Sequence, residues 1–85
     1  PVRGDSMIDE QIRDGDYVVV QSRDDAHNGE TVIALVDGED ATMKKYYREG
    51  ARVRLQPANP SLEPIVLDEE RVRVRGVVVG VIRKY

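Results

Sequence analysis

A serine and a lysine hold the chemistry this chain can offer: Ser6, set in Gly4-Asp5-Ser6-Met7, and Lys44, set in Ala41-Thr42-Met43-Lys44-Lys45. A serine hydroxyl is a weak nucleophile until a neighbouring base takes its proton, and a neutral amine can replace an imidazole in that role. Lysine's ordinary pKa of about 10.4 leaves roughly one amine in a thousand neutral near pH 7, so a lysine base has to be desolvated. Lys44 sits in an alternating run. Period-two spacing puts Thr42, Lys44 and Tyr46 on one face and Met43, Lys45 and Tyr47 on the other, so only one of the adjacent lysines can point inward. Thr42 offers a hydroxyl on the Lys44 face that can accept a hydrogen bond from the amine and orient it. The chain carries ten arginines and only three lysines, and arginine cannot be deprotonated to act as a base. By residue types alone the plainer reading, a turn serine and a surface lysine, carries more weight.

Other chemistries are poorly supplied. The single histidine, His27, lies in Asp24-Asp25-Ala26-His27-Asn28-Gly29, whose composition reads as an exposed turn, so a Ser-His-Asp hydrolase lacks its imidazole. One histidine and no cysteine cannot furnish the nitrogen and sulfur ligands of a zinc site. The acidic clusters Asp9-Glu10, Asp37 to Asp40 and Asp68 to Glu70 lack the spacing of a calcium loop and read as solvated surface. No phosphate-binding or dinucleotide glycine pattern occurs. Neither a metal nor a cofactor is expected.

At 85 residues the chain is read as one domain spanning 1–85, and a chain this short buries only about 60% of its unfolded surface. It is expected to gain stability from a partner chain or a further segment, and Pro1 in place of an initiator methionine points to a fragment or processed product. The absence of cysteine removes any disulfide framework and suits a reducing cytosol. No apolar run approaches the roughly 20 residues a bilayer requires, and the N-terminus lacks the regions of a signal peptide. That weighs against export, and so against reading Arg3-Gly4-Asp5 as an adhesion tripeptide. The net charge is -3, with sixteen acidic and thirteen basic residues interspersed and no dense basic face, so this segment alone is not expected to bind nucleic acid. Four tyrosines, with no Phe or Trp, are the only surfaces on which bases could stack.

The elements that must position Ser6 and Lys44 read as short strands. Asp16-Tyr17-Val18-Val19-Val20-Gln21 and Glu30-Thr31-Val32-Ile33-Ala34-Leu35-Val36 are β-branched runs expected to be buried strands. Asn28-Gly29 between them and Asp37-Gly38 after the second tolerate the positive φ of tight turns, which makes a meander the simplest topology. Ala51 to Gln56 alternates, Pro57-Ala58-Asn59-Pro60 reads as a loop, and Ile65-Val66-Leu67 resumes the strands. Arg71 to Arg75 alternates strictly, and Gly76-Val77-Val78-Val79-Gly80-Val81-Ile82 is apolar on both faces, so the last strand should be central or paired across an interface. The one plausible helical turn lies between Met7 and Asp14.

These stretches, in this order, resemble the C-terminal domain of LexA-type repressors. The residues that carry the resemblance are Gly4-Asp5-Ser6-Met7, the run from Ile12 to Val20, Asn28-Gly29-Glu30-Thr31-Val32, Ala41-Thr42-Met43-Lys44-Lys45, Leu55-Gln56-Pro57-Ala58-Asn59-Pro60, and the end from Gly76 to Arg83. The resemblance implies a small, mostly β domain of short, largely antiparallel strands with little helix, similar to LexA and signal peptidase. It also implies a repressor of the bacterial SOS response, cytoplasmic, whose C-terminal domain is a latent serine protease and a dimerisation module. Ser6 resembles the nucleophile, Lys44 the general base and Thr42 its hydrogen-bond partner, with the N–H groups of Asp5 and Ser6 as oxyanion hole. Implied partners are a second copy of the chain through the strand from about Gly76 to Arg83, the RecA filament on single-stranded DNA, and operator DNA through an N-terminal domain not found in this chain; no membrane is implied. The family cuts an Ala-Gly bond in its linker, and none of Ala26, Ala34, Ala41, Ala51 and Ala58 is followed by glycine. A UmuD-like polymerase accessory protein, a phage repressor and a non-catalytic dimerisation module remain alternatives.

Overall fold

β-Branched runs separated by left-handed turn residues set the strands. The computed structural model describes residues 17–82, without the side chain of Asp40. It shows β1 (Tyr17–Ser22), β2 (Thr31–Val36), β3 (Glu39–Glu49), β4 (Arg52–Gln56), β5 (Ile65–Asp68) and β6 (Val72–Ile82), with a 3-10 turn at Glu69–Arg71. All strand pairs are antiparallel, in one six-stranded sheet of order β1-β6-β2-β3-β4-β5. The mostly-β, antiparallel architecture expected from the sequence is therefore the observed one. The helical turn expected between Met7 and Asp14 lies outside the described residues.

The meander holds from β2 to β5. Asp37 and Gly38 have φ of 55° and 74°, the two positive values that a two-residue type I′ hairpin requires and that match the twist of its strands. Gly50, with φ 65°, turns β3 into β4. The expectation fails between β1 and β2. Asn28-Gly29 does turn the chain, with Gly29 at φ 89°, but its backbone goes to β3: Gly29 N–H donates to the Tyr46 carbonyl at 2.8 Å and Tyr46 N–H to Glu30 O at 2.9 Å. β6 occupies the place between β1 and β2. The strand is interior in the sheet order, but among the described residues its apolar run has strand neighbours on both edges only at Gly76 and Val77, and the rest of it pairs with β1 alone.

β1 is not the buried strand its composition suggests. Five of its six residues are exposed, because it forms the sheet edge and pairs only with the second half of β6, from Gly76 to Ile82. β2 meets the first half, from Val72 to Val77. Two bulges on β6 make this exchange possible. The β2 register passes from Ile33↔Gly76 to Ala34↔Val74, skipping Arg75, and the β1 register passes from Val20↔Val78 to Val19↔Gly80, skipping Val79. An extra residue reverses the side-chain alternation, which is how Val74 and Val77, an odd number of positions apart, both reach the core.

The core lies on one face. Its members are Val32 and Ala34 on β2, Tyr46 on β3, Val53 and Leu55 on β4, and Val74 and Val77 on β6. Leu55, Val32, Val53 and Val77 are each less than 2% exposed, worth about 1.5–3 kcal/mol apiece relative to exposure. Cross-strand partners point to the same face, so the core is built of rungs: Val77–Val32–Lys44, Val74–Ala34–Thr42, and Tyr46–Leu55.

Candidate active site

The rungs settle which lysine turns inward. Lys44 pairs with Val32 and Thr42 with Ala34, and both β2 residues are fully buried, so Thr42, Lys44 and Tyr46 share the core face as the alternation predicts. Lys45 pairs with Thr31 and Gln56 on the other face. The Lys44 side chain is half-buried, and its amine donates to Thr42 Oγ1 at 2.7 Å and to the Met43 carbonyl at 3.3 Å. Burial lowers the Lys44 pKa from the ordinary 10.5, because an ammonium loses more hydration than a neutral amine does.

A neutral amine has two N–H bonds and one lone pair. With Thr42 Oγ1 and the Met43 carbonyl taking the two N–H bonds, the lone pair of a neutral Lys44 amine would be left free. The Met43 carbonyl is a partner that sequence reasoning missed, since every residue has one and only the side-chain path of Lys44 selects it. Val32 and Ala34 were missed as neighbours for a related reason: register across two strands is not written in either strand alone. Asp5 and Ser6, the other sequence-predicted site residues, lie outside the described residues.

Among the described residues, no strand pairs with the β4-side edge of β3 beside Lys44. β4 begins its ladder on β3 at Lys45↔Gln56, and the next residue, Pro57, has no N–H to extend it. Among the described residues, positions 41–44 of β3 thus have a strand neighbour on the β2 side alone. A groove of about 1170 Å³ lies elsewhere, bordered by Arg23, Tyr46, Arg48, Arg73, Val74 and Arg75, among others, and Lys44 does not line it. It is wide and polar.

His27 is exposed and stands in the turn the sequence indicated, its N–H donating to Glu30 Oε1 at 2.6 Å. Among the described residues no group of three His, Cys, Asp or Glu side chains could hold a metal ion, and no helix is long and apolar enough to cross a membrane.

Comparison with known proteins agrees with this geometry. The peptidase S24-like family model matches residues 1–79. The chain is 50% identical over 84 residues to the LexA repressor of Zymomonas mobilis, covering 99% of this chain and 39% of that protein. It is 52% identical over 84 residues to the LexA repressor of Koribacter versatilis, with 99% and 40% covered. Against the LexA repressor of Syntrophotalea carbinolica it is 55% identical over 85 residues, with 99% and 42% covered. The chain therefore spans about two fifths of the length of these relatives. A domain-length match to the family, joined to a mostly-β sheet that turns one lysine into its core face, means that the chain belongs to the peptidase S24-like family and is a domain of the LexA type.

Proposed function

We propose that this chain is the self-cleaving and dimerising domain of a transcriptional repressor of the bacterial SOS response, with a Ser-Lys dyad formed by Ser6 and Lys44. The observation that carries the reading is the Lys44 amine, half-buried, held by Thr42 Oγ1 at 2.7 Å and depressed in pKa by burial. In this mechanism the neutral Lys44 amine takes the proton of Ser6 Oγ as the oxygen attacks the scissile carbonyl carbon. The N–H groups of Asp5 and Ser6 hold the resulting oxyanion. The Lys44 ammonium then gives its proton to the departing amine, and a water deprotonated by the same lysine releases the acyl-enzyme.

The edge of β3 at residues 41–44, unpaired on the β4 side among the described residues, suits a substrate strand, which would gain main-chain hydrogen bonds there and present its peptide bond near Lys44. The substrate is an Ala-Gly bond in a linker joining this domain to an operator-binding domain, cut when the RecA filament on single-stranded DNA is present. Dimerisation runs through β6 from about residue 76 to 83, where Val79 and Ile82 are each 58% exposed. The protein acts in the bacterial cytoplasm.

The test is cleavage in trans. A longer form carrying linker and DNA-binding domain, with Ser6→Ala, is incubated with this chain between about pH 7 and pH 10. One linker cut that grows with pH and disappears with Lys44→Ala is expected. No cut, together with no self-cleavage of the full-length protein, would leave a dimerisation module without catalysis. A protein lacking any DNA-binding domain would favour the UmuD-like reading.

A further inference from the structure

Among the described residues, β2 is the strand that walls the flank of Lys44. On the β4 side the ladder starts only at Lys45↔Gln56, so among the described residues the aliphatic wall along the lysine stem comes from β2. The residue there is Val32, the direct register partner of Lys44 and fully buried. Direct cross-strand partners have Cβ atoms about 4.5–5.5 Å apart, whereas same-face neighbours along one strand are about 6.6 Å apart, so Val32 stands nearer to Lys44 than Tyr46 does. Val32 is itself backed by Val77, 1% exposed, on its other side.

We propose that Val32 is a positioning residue for the Lys44 amine: its branched side chain excludes water from one flank of the lysine stem and directs the amine toward Thr42 Oγ1. The assignment rests on the reading of Lys44 as a base and adds the residue that makes it one. The groups on these rungs are few. β2 contributes Val32 and Ala34, β6 contributes Val77 and Val74, and β4 contributes Leu55, none of them titratable. On β3 itself are Thr42, the Tyr46 phenol and, one step further, Arg48, whose guanidinium is directed to Glu69 and the Gly50 carbonyl. No carboxylate faces Lys44 among the described residues, and burial is the cause of its lowered pKa there.

The experiment is a side-chain NMR titration of lysine-labelled chain, with the three lysines assigned by substitution. Val32→Thr keeps the shape and admits hydration, Val32→Ala opens the flank, and Val77→Thr makes the same chemical change one strand further away at matching burial. The Lys44 midpoint should rise in both Val32 variants and stay at the wild-type value in Val77→Thr. In the trans-cleavage assay the Val32 variants should lose several-fold in rate near pH 7 and recover most of it near pH 10, because below its pKa a base works in proportion to its neutral fraction. A Lys44 midpoint unmoved in a folded Val32 variant, or moved equally by Val77→Thr, overturns the assignment. If the midpoint moves as expected but no protein cleaves, Val32 retains its role and the protease reading falls instead.

Discussion

Gly76 lies directly beneath Val20. A Cβ built on Gly76 would overlap Val20 Cγ1 and stand 3.1 Å from the Gln21 carbonyl oxygen. The glycine is buried where β6 changes partners, with Ser22 of β1 on one side and Ile33 of β2 on the other, and the two strands can bracket it because it has no side chain.

Gly76→Ala should therefore destabilise the domain by about 1–3 kcal/mol, the usual range for overpacking. Urea unfolding measures it. Val20→Ala alone should cost less, since Val20 is 43% exposed, and combining the two should recover part of the Gly76→Ala loss. Strict additivity of the two would refute the contact.

Thr42→Val removes the acceptor of the Lys44 amine while keeping the side-chain shape. In the working base the amine is neutral, and an ordinary hydrogen bond is worth about 0.5–1.5 kcal/mol, so self-cleavage of the full-length protein at fixed pH should fall about twofold to tenfold. Thr42→Ser should retain most of the rate. Equal rates for valine and threonine would remove Thr42 from the mechanism.

The Lys44 pKa carries a stability signature with a definite sign. Its folded pKa is below 10.5, so between that lowered value and 10.5 the unfolded chain binds more protons than the folded one. Stability then rises with pH through this window. The difference in urea midpoint between wild type and Lys44→Met should grow in favour of wild type as pH is raised through it. A difference independent of pH would mean that the amine is as well hydrated in the fold as outside it.

At the opposite end of the pH scale the Asp37 carboxylate gives a slope of the same sign from a different cause. The Arg71 side chain donates to it through Nε at 2.9 Å and Nη2 at 2.7 Å, and this holds the Asp37 pKa below the ordinary 3.8. Its contribution is present above 3.8 and is lost as pH falls through the lower folded value. Asp37→Asn, which tolerates the residue's positive φ, should be less stable than wild type at neutral pH and converge with it in strong acid. Parallel curves would show the ion pair contributing nothing.

Val79→Asp tests the dimer surface. Val79 is a bulged and exposed residue, so the change should alter monomer stability by no more than about 0.5 kcal/mol. Sedimentation should nevertheless show a shift from dimer to monomer. A dimer that survives the substitution places the interface elsewhere.

Local chemistry determined much of this protein. The β-branched runs of β2 and β3, the Asp37-Gly38 turn between them and the alternation that puts Thr42, Lys44 and Tyr46 on one face are set by residues within a few positions of one another, where dihedral preference and period two act directly. That β6 needs neighbours on both edges was also legible, though only the start of its apolar run, Gly76 and Val77, is covered from both. What only the tertiary structure decided was which strands supply that cover. β6 enters between β1 and β2, leaving β1 an exposed edge, and shifts register at Arg75 and Val79. Pairing between strands some fifty residues apart depends on competing hydrogen-bond partners of near-equal energy, and the winner is chosen by the packing of the whole sheet. The same holds at the candidate site: that Lys44 faces inward follows from its neighbours in sequence, whereas the Val32 that walls it and the Met43 carbonyl that receives its amine follow only from the register of β2 on β3 and the path of the side chain.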